Sequence, residues 1–195
     1  MNNMTNRIIA IGASTGGTEA IVSILKELPG TIPGIVIVQH MPPNFTKMFA
    51  ERLNNITSFN VKEAATGDPV LPGHALVAPG DYHMTIYGLG GNYYTRCFKG
   101  EKVKSHCPSV DVLFESVAAE AGKNSIGVIL TGMGSDGANG LLAMKKSGAR
   151  TIGQDESSSV VYGMPKAAHI IGAVEKQAPL ANIPGLILSF LQETT

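Results

Sequence analysis

The chain has 195 residues, enough for one domain with a sizeable core, and its 15 basic and 15 acidic side chains cancel. That balance lacks the basic footprint of a nucleic-acid binder and the acidic tail of a solvating segment. No apolar run reaches membrane-spanning length, no signal peptide precedes Gly12, and Cys97 and Cys107 are too few for a disulfide framework, so the expectation is a cytoplasmic protein with free thiols.

Strand-like and helix-like segments alternate along the chain. Ile8–Ala13 reads as a buried strand and Thr18–Leu28 as a helix, stopped by Pro29-Gly30. Ile35–Gln39 is a second apolar, β-branched strand, followed by a helix over Phe45–Asn54 with Phe45, Met48, Phe49 and Leu53 at helical spacing. Short strands at Val61–Ala64 and Ala75–Val77 lie among turns rich in glycine and proline. Met84–Tyr87 and Tyr93–Cys97 flank Gly88-Leu89-Gly90-Gly91-Asn92 as a hairpin. Val110–Ala121 is a helix, Ile126–Leu130 a third buried strand, Ala138–Lys146 a helix ended by Gly148, and Thr151–Gln154 a further strand. A helix over Met164–Ile171 follows, and Leu186–Gln192 closes the chain.

Near-continuous apolar strands alternating with helices imply a mostly parallel sheet covered on both faces. The expected fold is a doubly wound, Rossmann-like α/β three-layer sandwich, one domain over 1–195, with an antiparallel hairpin near one edge. Ligands in such folds bind beyond the carboxyl ends of the strands. The informative loops therefore follow Ala13, Gln39 and Leu130.

The first of these, Gly12-Ala-Ser-Thr-Gly-Gly, sits where phosphate-binding corners occur. It fails the dinucleotide fingerprint, because Ser14 holds the place of the second glycine and the second strand ends in Gln39-His40 rather than an acid. It fails the P-loop pattern because Thr18 stands where lysine is required. Gly12-x-Ser14-x-Gly16 does match a strand-to-helix nucleophile elbow, with the helix amino terminus behind it to meet negative charge. The same residues equally suit Ser14 as a helix N-cap.

A serine nucleophile needs a base. His40 ends the second strand, and adjacent parallel strands lie about 5 Å apart, so the two loops bring Ser14 and His40 within reach. A histidine base is helped by a carboxylate that holds its tautomer. Asp136, in "ILTGMGSDGANG", follows the third strong strand, where its bland role would be to cap the next helix. The glycines at 132, 134, 137 and 140 exceed what a cap requires and point to backbone N–H groups facing a site, as an oxyanion hole needs.

With these residues in view, the sequence resembles the catalytic domain of the chemotaxis receptor methylesterases, the CheB-type protein-glutamate methylesterases. The resemblance runs from Ile8 to about Pro184 through "IGASTGG", "VQHMPPNFT", "VAPGDYHM", "PSVDVLFESVA", "ILTGMGSDGA" and "QDESSSVVYGMPKAA". It implies Ser14 as nucleophile, His40 as base and Asp136 as its orienting partner, with Thr15 and the Met133 backbone at the oxyanion site. It implies methylated chemoreceptor cytoplasmic helices as partners, glutamyl methyl esters as substrates and, in some members, glutamines to deamidate. It implies neither cofactor nor metal and no insertion into the membrane. The receiver domain that many members carry ahead of this region has no counterpart in these 195 residues.

Cys97, His106 and Cys107 lack paired zinc-ligand spacing, and His74, His83, His106 and His169 read as structural, with His83 a lesser candidate for lining the cleft. Asp81 and Asp155 read as turn formers, and Tyr93-Tyr94 as sheet packing. Besides the receptor methylesterase, two readings stand: a serine hydrolase of other small esters or amides with the same triad, and a non-catalytic binding module. The retained Ser14, His40 and Asp136 argue against the last.

Overall fold

A computed structural model describes residues 6–193; residues 1–5, most of the stretch read for a leader, lie outside it. In chain order the elements are β1 (Ile8–Ala13), α1 (Gly17–Glu27), β2 (Gly34–Gln39), α2 (Phe45–Ile56), β3 (Asn60–Glu63), β4 (His74–Val77), β5 (His83–Leu89), β6 (Asn92–Phe98), α3 (Val110–Glu120), β7 (Ser125–Ile129), α4 (Ala138–Lys146), β8 (Arg150–Gln154), α5 (Met164–Ile170), β9 (Lys176–Ala178) and α6 (Ile183–Gln192). No described helix is long and apolar enough to cross a membrane.

Seven strands form one parallel sheet in the order β3-β4-β2-β1-β7-β8-β9. β1 lies at the centre, paired on one side with β2 (Ile8 opposite Gly34) and on the other with β7 (Ile8 opposite Ser125). The chain first builds outward through β2 and later returns to the other flank of β1. The strand order therefore reverses beside β1, the point at which doubly wound sheets open a crevice.

Successive residues of β1 face opposite ways, and both ways are apolar. Ile9 and Ile11 pack into a core with α1, α2 and α6, through Ile21, Leu25, Phe49, Leu53, Ile187 and Phe190. Ile8 and Ala10 pack into a second core with α3, α4 and α5, through Val110, Phe114, Leu141 and Met164. This two-sided burial explains why the strands read as unbroken apolar runs. Each fully buried aliphatic side chain contributes about 1.5–3 kcal/mol relative to exposure.

The hairpin pairs as expected, His83 opposite Phe98 through Leu89 opposite Asn92, but as a separate two-stranded sheet. It lies against α3, where Ile86 N–H donates to Ser116 Oγ and Gly88 N–H to Glu120 Oε2. β9 has no counterpart in the sequence reading. It is three residues long and only Ala178 in it is buried, so it carries no apolar run to detect.

Candidate active site

The corner after β1 is pinned from both sides. Ser14 N–H donates to Thr131 O (3.0 Å), and Ser14 O accepts from Gly17 N–H (2.8 Å) and from Gln39 Nε2 (2.8 Å). Thr131 Oγ1 donates to Thr15 O at 2.9 Å. Gly16 turns the chain with φ 78 and occupies the N-cap of α1, so Ser14 is not the cap. A Cβ on Gly132 would lie 2.7 Å from Ser14 Cβ, so only glycine lets the β7 loop close against the serine. Ser14 itself is half-buried, and its hydroxyl makes no hydrogen bond among the described residues.

His40 follows β2, its N–H bonded to Ala13 O at 3.1 Å. Its Nε2 lies 2.8 Å from Asp136 Oδ2, with the two side chains 7% and 0% exposed. Asp136 stands beyond β7, on the opposite flank of β1, and reaches across the strand end to the imidazole. The helix that follows Asp136 is capped by Gly137 instead. Asp136 serves α3: Oδ1 accepts from Ser109 Oγ (2.8 Å) and Asp111 N–H (3.1 Å), and Oδ2 accepts from Val110 N–H (2.7 Å). Burial pushes the Asp136 pKa up, but the bonds from His40, Asp111, Val110 and Ser109 outweigh it and hold the carboxyl below its ordinary range. The positive end of the α3 dipole acts in the same direction.

This arrangement sets the tautomer. An ionised Asp136 accepts, so Nε2 carries the proton and Nδ1 holds the free lone pair. Nδ1 is buried and has no partner. The approach of α3 depends on Gly12, where a Cβ would meet Val110 Cγ1 at 2.2 Å.

Around Ser14 the neighbouring backbone is sparsely bonded. Neither Thr15 N–H nor Met133 N–H donates to an acceptor among the described residues. Met133 and Val160 are exposed at 68% and 70%, and Val160 packs where a Gly16 Cβ would be. The four glycines that follow β7 divide their work. Gly134 and Gly137 adopt positive φ, while Gly140 brings α4 against Phe114 and donates to Asp111 Oδ1 at 2.7 Å.

The remaining titratable residues have mostly structural places. His83 is buried; its Nδ1 accepts from Ser109 N–H (3.2 Å) and its Nε2 donates to Glu101 O (2.8 Å). Cys97 and Cys107 are free thiols, and burial raises the Cys97 pKa to about 11. Asp81 sits at φ 64 and Asp155 accepts from Ser157 and Ser158, as turn formers do. His106 joins neither cysteine. It stacks on His40, with ring centroids 3.7 Å apart and planes 7° from parallel. His40, His106 and Asp136 offer ligand atoms within 4.8 Å of one another. They fit a metal poorly: parallel rings present their lone pairs side by side, and the Asp136 oxygens already accept four donors.

Sequence reasoning proposed Ser14, His40 and Asp136 from their places at three strand ends, which the structure sets side by side. It missed Gln39, Ser109 and Asp111, which brace them. Gln39 was visible as a polar residue ending an apolar strand; nothing local marked the other two.

Comparison with known proteins bears on this arrangement. The CheB methylesterase family profile matches residues 9–187. A Syntrophomonas wolfei protein named protein-glutamate methylesterase/protein-glutamine glutaminase 2 is 62% identical over 90% of this chain and 52% of its own length. A Pseudomonas aeruginosa protein of the same name is 54% identical over 94% of this chain and 53% of its own. This chain thus spans about half the length of the curated relatives it matches. The crystal structure of the Thermotoga maritima CheB methylesterase catalytic domain superposes with a TM-score of 0.91 at 38% identity, covering 94% of this chain and 97% of that one. The chain belongs to the CheB methylesterase family.

Proposed function

We propose that this chain is a serine hydrolase that removes methyl groups from glutamyl methyl esters on the cytoplasmic helices of chemoreceptors. The observation that carries the reading is the 2.8 Å bond from His40 Nε2 to a buried, ionised Asp136, one strand end from Ser14. The names of the relatives favour the ester as substrate and add glutamine side chains as a second one. The cytoplasm, where such helices lie, is the proposed site of action.

In the first half-reaction Ser14 Oγ attacks the ester carbonyl and its proton passes to His40 Nδ1. Asp136 balances the imidazolium that results. The carbonyl oxygen becomes an oxyanion, and the backbone N–H groups of Thr15 and Met133 are its proposed donors. Collapse breaks the bond to the methoxy oxygen, which takes the proton from His40 and leaves as methanol. In the second half-reaction water attacks the glutamyl-enzyme, again giving a proton to Nδ1. Collapse returns that proton to Ser14 Oγ and frees the glutamic acid side chain, which loses its remaining proton to solvent as the carboxylate. The exposed Met133 and Val160 suit an apolar helix surface around the ester.

Methanol release tests the reading. The chain is incubated with methylated receptor cytoplasmic fragments and, separately, with small generic esters. The expected result is receptor demethylation at a kcat/KM far above that for the generic esters. Equal turnover of both would replace the receptor methylesterase with a hydrolase of small esters, and inactivity on both would remove the enzyme reading.

A further inference from the structure

His106 touches the proposed base yet has no part in the proton path described above. Its ring covers one face of His40 at 3.7 Å. Its Nδ1 is buried without a partner, and burial, followed by the neighbouring His40, holds its pKa below the ordinary histidine value, so the ring stays neutral. A neutral ring that bonds nothing through that nitrogen acts here by its shape.

The backbone that delivers it is strained. Val103 and His106 exchange N–H···O bonds of 3.0 and 2.9 Å across a two-residue turn. Both central residues, Lys104 (φ 48) and Ser105 (φ 70), are left-handed, and neither is glycine. Such residues persist where the surroundings over-determine them. Lys104 supplies that constraint: Nζ lies 2.7 Å from the buried Asp111 Oδ2 and donates to Ser135 O at 2.9 Å, beside Asp136.

His40 needs a second restraint. One hydrogen bond at Nε2 fixes a point of the ring but leaves it free to tilt about that bond, and Nδ1 is not bonded to hold it. Proton transfer is sensitive to such tilts.

We propose that His106 is a positioning residue: anchored by Lys104, it clamps the face of His40 so that Nε2 stays on Asp136 while Nδ1 is presented to Ser14. This rests on the reading of His40 as the base.

The test uses the full chain with His106→Ala, His106→Phe, Lys104→Met and His40→Gln, assayed on a methylated receptor fragment. The downfield proton resonance of His40 Nε2–H is followed by NMR. His106→Ala should lower kcat by about 10- to 100-fold with KM little changed, the size expected when a catalytic group is slightly misplaced. It should also broaden the Nε2–H signal. His106→Phe keeps the flat wall and should recover most of kcat and the sharp signal. Lys104→Met, on the surface, should show a milder form of the Ala signature even if His106→Ala folds poorly. Wild-type kcat and a sharp signal in His106→Ala would overturn the proposal, as would a His106→Phe variant as impaired as His106→Ala. His40→Gln separates the two claims: if it retains activity the base reading fails, whereas an inactive His40→Gln beside an unimpaired His106→Ala defeats only the clamp.

Discussion

Asp136 holds His40 Nε2 at 2.8 Å with the same carboxylate that receives the first amides of α3. One buried side chain thus joins the amino terminus of a helix to the imidazole at the end of a neighbouring strand. The fold and the proposed chemistry share this group, and a change there should register in both.

Asp136→Asn tests that sharing. Oδ1 faces Ser109 Oγ and Asp111 N–H, and Oδ2 faces Val110 N–H and His40 Nε2. An amide must aim its NH₂ at one of those donor sets, whichever way it turns. The expected outcome is a fall in kcat of about 10⁴, as for a lost tautomer anchor. Unfolding free energy should fall by about 1–3 kcal/mol for the donor left unpaired. Steady-state kinetics and urea unfolding on the same variant check both.

Stability should depend on pH in two separable windows. The Asp136 pKa is lowered in the fold, so its contribution is present above the ordinary carboxylate value of about 3.9 and is lost as pH falls through the lower folded value. The His106 pKa is also lowered, chiefly by burial and then by His40 and Lys102, against opposing effects from Asp136 and the Lys104 backbone. Below about pH 6.5 the unfolded chain takes up that proton more readily than the fold, so stability declines there as pH drops. Urea midpoints measured from pH 8 to pH 3 should show both declines in the wild type. His106→Phe should flatten the upper window and leave the lower one intact.

Gly12→Ala should damage the site without touching a reacting group. The new Cβ would meet Val110 Cγ1 at 2.2 Å, forcing α3 away from β1 and its amides away from Asp136. Overpacking of this kind costs about 1–3 kcal/mol. Activity should fall with it, and a crystal structure of the variant should show the amino terminus of α3 displaced.

Thr15 and Met133 should tolerate side-chain replacement, because the proposed oxyanion donors are their backbone N–H groups. Thr15→Ala and Met133→Leu should each fall well short of the about 10²- to 10³-fold loss that follows removal of a donor. Kinetics showing either loss as large as that of Ser14→Ala would place the side chain itself in the chemistry.

Much of this was legible in the sequence for a physical reason. Strands buried on both faces are apolar at every position, so β1, β2 and β7 stand out, and the residues at their carboxyl ends name Ser14, His40 and Asp136. What escaped depends on contacts distant in sequence. Asp136 read as a possible cap for α4, but it caps α3, and only the approach of Val110 to Gly12 makes that possible. The hairpin could be paired from its turn, yet its seat on α3 depends on Ser116 and Glu120. His106 read as a structural histidine, because nothing in Lys104-Ser105 signals the left-handed turn that lays it on His40.

The most direct measurement of the central claim, that Ser14 is a nucleophile activated by His40 and Asp136, is covalent labelling by a phosphonylating serine reagent, read by mass spectrometry. The account predicts one adduct, located on Ser14. Labelling should be slower by about 10²- to 10⁴-fold in His40→Gln, the share that a positioned base supplies. Ser14→Ala should take no label and lose up to about 10⁶ in kcat. An adduct on another residue, or labelling of Ser14 at an unchanged rate in His40→Gln, would contradict it.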